Sequence, residues 1–208
     1  MDEQGSLAHT AGHTSRGFDR LVNFSDAVVA IAITLLVLPL TEVAGHAEGE
    51  SVPTLLRENQ PTIMAFLVSF VLVANYWLVH HRMFEYIDDY DGVLAWLNML
   101  WLLLIILLPF STELMSNGFL GVAALIYSGN LALLSLVLGI LGWHVTRHPE
   151  LQAPDFQPAR MRLAKSVLYF VVFLAIGIAA QFMGSNAAWL FLLLFPMNLV
   201  LDRLGWDH

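Results

Sequence analysis

Six long apolar runs dominate the chain: Phe24 to Leu40, Thr62 to Val79, Val93 to Thr112, Phe119 to Trp143, Ser166 to Met183 and Ala187 to Leu201. A helix rises 1.5 Å per residue and needs about 20 apolar residues to cross a bilayer core, so each run predicts one membrane-spanning helix. Turn signals separate them: Pro39 and Pro61, the acidic Asp88-Asp89-Tyr90-Asp91-Gly92, Ser116-Asn117-Gly118, the Pro149 to Pro158 loop, and Gly184-Ser185-Asn186. Composition agrees. With 58% hydrophobic residues, 12% charged and a mean hydropathy of +0.69, the chain is too apolar for a soluble domain of its length. The expected fold is therefore an all-α integral membrane protein with six spans in one domain over residues 19–204. Residues 1–18, polar and interrupted by Gly5, Gly12 and Gly17, are expected to form a flexible tail, and residues 205–208 a short second one.

Basic residues in short loops tend to stay cytoplasmic. With the N-terminus inside, the inner loops receive Arg16, Arg20, Arg82, Arg147, Arg160, Arg162, Lys165 and Arg203, and the outer loops only Arg57. Both termini are therefore expected in the cytoplasm, as in a multi-pass protein of the cell membrane. A cleaved leader competes for the first run, because Val43-Ala44-Gly45-His46-Ala47 faintly resembles a cleavage site, but Ser25 and Asp26 suit a retained, packed helix better. The net charge of -8 leaves no extended basic surface for nucleic acid, and the absence of cysteine excludes disulfides, thiol catalysis and cysteine-ligated metal.

The candidate functional residues concentrate at one end of the first three helices. Asp26, near the inner end of the first helix, is either a helix cap together with Ser25 or a functional ionisable group, since an acid in that position demands partners or water. At 100° per residue Ile31, Thr34, Leu35 and Leu38 share one face, roughly opposite Asp26. Several copies of this helix around an axis would present aliphatic rings and one hydroxyl ring, a constriction that gates by dewetting with Thr34 able to touch an ion. Aliphatic stripes are the commonest content of any spanning helix, and the same stripe would suit contact with lipid or a neighbouring helix.

Trp77 and His81 are four residues apart on the second helix and His80 is three from Trp77, so either imidazole can lie beside the indole. Ser25, Asp26, Trp77, His80 or His81, and Asn98 then stand at comparable depth, able to form one hydrogen-bond network within the subunit. Alternatively Tyr76 and Trp77 belong to an interfacial aromatic belt and His81-Arg82 to a solvated helix end. The outer segment Thr41 to Pro61 carries Glu42, Glu48, Glu50 and Glu58 against Arg57, which would concentrate cations at a symmetric mouth or merely solvate the loop.

His144 and His148 have the i, i+4 spacing of two metal ligands on a helix, but Pro149 ends that helix and the other histidine boxes of a membrane oxygenase are missing. No metal, no cofactor and no enzymatic activity are expected. Phosphate loops, Ser-His-Asp arrangements and nucleophile elbows do not occur in the sequence.

Arg20 followed by Phe24-Ser25-Asp26, the aliphatic run behind them, Trp77, His80, His81 and Phe84 in the second helix, and Leu107-Leu108-Pro109-Phe110-Ser111-Thr112 ending the third resemble prokaryotic members of the transmembrane protein 175 family. These are potassium-selective channels with animal relatives in endosomes and lysosomes. The resemblance implies a homotetramer whose four first helices line a central pore without a carbonyl filter, and this sequence has no Thr-Val-Gly-Tyr-Gly-like segment. It also implies that Ile31, Leu35 and Leu38 are the constricting layers and Thr34 the selectivity hydroxyl. Phe24, Ser25 and Asp26, with Arg20 before them, would hold the pore helix against the second and third. The expected function is passive conduction of K+ and related monovalent cations through a hydrophobic gate. The alternative is a proton-coupled secondary transporter using Asp26 and His81 as a relay, although no inverted repeat or broken mid-membrane helix is apparent.

Overall fold

The computed structural model describes residues 3–45, 49, 51–116, 120–156 and 163–183, and they are almost wholly helical. The helices are α1 (Glu3–Leu35), α2 (Leu38–Gly45), α3 (Val52–Glu58), α4 (Gln60–Phe84), α5 (Gly92–Ser116), α6 (Leu120–Arg147) and α7 (Leu163–Met183), with a 3₁₀ turn at Pro149–Leu151. Five spans long and apolar enough to cross a membrane occur among the described residues: Arg16–Gly45, Gln60–Phe84, Gly92–Ser116, Gly121–Arg147 and Leu163–Phe182. They coincide with the first five expected runs. The sixth, Ala187 to Leu201, lies outside the described residues.

Helix boundaries depart from the sequence reading at three places. The helical backbone begins at Glu3, so residues 3–18, read as a tail, continue the helix of the first span. No proline interrupts that stretch, and a helix already nucleated by the apolar run propagates back through it. At 33 residues α1 is about 50 Å long, well beyond the roughly 30 Å of a hydrocarbon core. The second departure is a break at Leu36-Val37. Pro39 has no N–H to give to the Leu35 carbonyl and its ring would crowd that oxygen, so α1 stops and α2 restarts at Leu38. The third is the outer segment, read as a loop, which contains α2 and α3. Pro53 and Pro61 occupy the first turns of α3 and α4, where a missing N–H costs nothing.

The core lies around α6. In its most apolar 18-residue window 67% of residues are buried within the single chain, against 17% for α1. Helices α6 and α7 are in extensive contact through small residues: a Cβ on Gly139 would meet Ser166, and one on Gly177 would meet Ser128. Helix α4 is joined to its neighbours by buried polar contacts, Ser69 with the hydroxyls of Thr112 (2.8 Å) and Tyr127 (2.9 Å), and Tyr76 with Ser135 (2.6 Å) and the Leu131 carbonyl (2.8 Å). Tyr76 is therefore a core anchor and not part of an interfacial belt. At the end of the bundle where α1 enters, α4 finishes and α5 starts, the α4–α5 loop pairs with the segment after α6. An antiparallel bridge joins Ile87 and Gln152, flanked by Asp88 N–H to the Leu151 carbonyl and Ala153 N–H to the Tyr86 carbonyl, each 3.0 Å.

Candidate functional site

Helix α1 has two faces of different fate. Phe18, Ser25, Val29, Ala32 and Leu36 are buried against α4 and α5. Arg20, Asn23, Phe24, Ala27, Ala30, Ile31, Thr34, Leu35 and Leu38 are exposed, recurring at spacings of three and four residues that follow one side of a helix. Ile31 is 61% exposed, Leu35 40% and Leu38 51%. The expected stripe thus covers one side of α1 that the rest of the chain leaves uncovered, with Leu38 carried on α2 beyond the proline break rather than on one continuous helix. The Thr34 hydroxyl donates to the Ile31 carbonyl at 2.7 Å, which spends its proton and leaves the oxygen lone pairs as acceptors.

The anchor of α1 forms as two separate chains of hydrogen bonds rather than one network. In the first, His80 Nε2–H donates to Asn98 Oδ1 (2.9 Å), Asn98 Nδ2 donates to Ser25 Oγ (2.8 Å), and Ser25 Oγ donates to the Leu21 carbonyl (2.8 Å). Every donor finds an acceptor in one direction, which requires the His80 proton on Nε2. His80 and Asn98 are 2% and 0% exposed, and the imidazole is stacked between Trp101 (4.1 Å between ring centroids) and Phe84 (4.2 Å). In the second, Trp77 Nε1–H donates to Asp26 Oδ1 at 2.9 Å, so the carboxylate is turned toward α4 of the same chain. His81 stacks on Trp77 (5.3 Å) and approaches Glu85 at 3.6 Å. The buried imidazole joined to Asn98 is His80; His81 stands beside the indole at the partly exposed helix end.

Two expected members take no part in the anchor. Phe24 is 52% exposed because it lies seven residues before Ile31, hence on the uncovered face. Arg20, one turn earlier, is exposed on the same side and makes no ion pair among the described residues. Of the acidic outer residues, Glu42 and Glu58 are exposed on α2 and α3, while Glu48 and Glu50 lie outside the described residues.

The sequence reading missed a contact between distant segments. Asp91 Oδ1 caps α5 by accepting the Leu94 N–H at 2.7 Å, and its Oδ2 lies 2.9 Å from His144 Nε2. Burial pushes the Asp91 carboxyl up, but the Leu94 N–H and His144 outweigh it and hold it below the usual carboxylate range. His144 was visible only as half of an i, i+4 pair; its partner in the distant α4–α5 loop has no signature in local spacing.

The family model described as "Endosomal/lysosomal potassium channel TMEM175" matches residues 20–109, which span α1 from Arg20 to the proline of α5 and contain the whole anchor. A potassium channel of Streptomyces collinus is 32% identical over 170 residues, covering 77% of this chain and 81% of the relative. The chain belongs to the TMEM175 family. An endosomal/lysosomal proton channel TMEM175 of Gallus gallus is 31% identical over 151 residues, 70% of this chain but 29% of that longer protein. The crystal structure of a lysosomal potassium-selective channel TMEM175 homolog from Chamaesiphon minutus superimposes with a TM-score of 0.63 at 25% identity, covering 93% of this chain and 100% of the other. These TMEM175 relatives are named as channels, not enzymes.

Proposed function

We propose that this chain, a potassium channel of the TMEM175 family, conducts K+ and related monovalent cations passively through a pore lined by α1 of four identical subunits in the cell membrane, with both termini cytoplasmic. The observation that carries the reading is the uncovered side of α1. In one subunit it exposes Ile31, Thr34 and Leu35, continued by Leu38 at the start of α2, while the polar groups of α1, Ser25 and Asp26, are engaged by Asn98 and Trp77 of the same chain.

Brought together around an axis, Ile31, Leu35 and Leu38 form apolar rings that exclude water when narrow and admit it when α1 rotates or dilates. Thr34 then supplies the polar ring, its oxygen lone pairs directed by the bond its proton makes to Ile31. Asp26 stays outside the conduction path and sets where α1 rests. Residues 19–204 act as one channel domain, with the bilayer and three further copies of the chain as partners.

A proton relay through Asp26 and His81 is less favoured, because the group touching both is the Trp77 indole. An indole N–H donates but does not accept, so it passes no proton. The test is the current through purified protein in a planar bilayer, with KCl on one side and NaCl on the other. Discrete currents reversing toward the potassium equilibrium potential are expected. Proton-driven uphill uptake by the same preparation, with no such currents, would overturn the reading.

A further inference from the structure

We propose that Asp91, His144 and His148 form a binding site for a divalent transition-metal ion of the zinc type, at the end of the bundle where α5 starts and α6 finishes. Their ligand atoms all lie within 4.8 Å of one another. A zinc ion holds nitrogen and oxygen ligands at about 2.0 to 2.2 Å, which places them roughly 3 to 3.5 Å apart, so side-chain torsions alone bring the three onto one ion. The closest pair, His144 Nε2 and Asp91 Oδ2, already stands at 2.9 Å.

The outer contacts of the ligands are those of a built site. Asp91 is fixed by its other oxygen, which caps α5 through Leu94. His148 Nδ1 lies 2.8 Å from the His144 carbonyl, a bond that needs the proton on Nδ1 and leaves the lone pair on Nε2. A ring nitrogen donating to a backbone carbonyl while the other stays free is the usual arrangement of a metal-binding histidine. The two imidazole centroids are 4.1 Å apart, and His144 is buried at the end of α6. Two imidazoles and one carboxylate select zinc-like ions over magnesium or calcium, and three protein ligands leave a fourth position for water.

An ion here would fasten the α4–α5 loop to the end of α6. Tyr90, next to Asp91, packs against Phe18 (6.3 Å between centroids), and its hydroxyl would lie 3.0 Å from a Cβ on Gly17, so the fastened loop is the one that touches the inner part of α1.

The test is a titration of metal-free, chelator-treated full-length protein with Zn2+, followed by calorimetry, with Co2+ absorption as a second reading. One Zn2+ per chain is expected, with affinity at least about tenfold weaker in Asp91→Asn and in His148→Gln. Asparagine still caps α5 through its carbonyl oxygen and meets His144 by donating its amide N–H to Nε2 in the other imidazole tautomer, and the glutamine amide can still donate to the His144 carbonyl. His9 and His13 have the same spacing, so the doubly substituted His9→Ala/His13→Ala protein should bind as the wild type does. Tetrahedral Co2+ bands lost in His148→Gln would agree. A stoichiometry far below one, or unchanged affinity in both Asp91→Asn and His148→Gln, would overturn the proposal and leave His144 and Asp91 as an ordinary ion pair.

Discussion

Replacing the fully buried Asn98 with leucine keeps the branched skeleton and heavy-atom count of the side chain but removes both hydrogen bonds of the anchor's central link. Ser25 loses only an incoming bond and still donates to Leu21. The His80 Nε2–H is left with no acceptor between two aromatic rings, and an unsatisfied buried donor costs about 1 to 3 kcal/mol. Hydrogen bonds between membrane helices average nearer 0.6 kcal/mol, so about 2 kcal/mol is the expected loss for the two bonds and the stranded imidazole. For a chain of this size that lowers the thermal midpoint by roughly 4 to 8 °C. Ser25→Ala should cost about 1 kcal/mol by stranding the Asn98 amide, and the double variant should fall short of the summed losses by about 0.5 kcal/mol or more, because the two changes remove the same bond. Thermal unfolding of the four proteins in one detergent gives the cycle. An Asn98→Leu midpoint equal to the wild type, or strict additivity with Ser25→Ala, would refute the anchor as described.

Three further outcomes follow from the same geometry. Leu35→Ala should widen the constriction and raise single-channel conductance without loss of the assembled protein, checked in bilayers alongside size-exclusion profiles. Trp77→Phe removes the donor that Asp26 has among the described residues and should destabilise the protein by about 1.5 to 3 kcal/mol, the range for hydrogen bonds to charged groups, read as reduced thermal stability and yield of assembled protein. Tyr76→Phe deletes a buried hydroxyl shared by Ser135 and the Leu131 carbonyl; a loss of about 1 kcal/mol and unchanged ion selectivity are expected, because it lies away from the exposed side of α1.

Periodicity carried most of what was readable in advance. Runs of apolar residues located the five described spans because the requirement of crossing a bilayer is written in length and hydropathy alone. The uncovered stripe of α1 was readable for the same reason: Ile31, Thr34 and Leu35 are neighbours at helical spacing whatever surrounds them. Contacts between helices were less so. His80 and His81 are adjacent, and only the packing of α4 on Trp101 decides which is buried. Phe24 sits beside Ser25 in the family signature, yet one residue of helix turns it 100° away, out of the anchor and onto the uncovered side. Asp91 reads as a turn residue among three acids, and its place beside His144 depends on two loops meeting across the bundle. Tyr76 reads as an interfacial aromatic until α6 covers it.

The central claim is that the side of α1 left open in one subunit faces the ion path. The chain contains no cysteine, so single cysteines can be introduced without a background. Ile31→Cys and Leu35→Cys, 61% and 40% exposed in the native side chains, should react with a membrane-impermeant cationic thiol reagent and lose current, whereas Val29→Cys and Leu36→Cys, at 4% and 2%, should conduct unchanged. Block at Val29 and Leu36 with none at Ile31 and Leu35 would contradict the assignment and place the pore elsewhere.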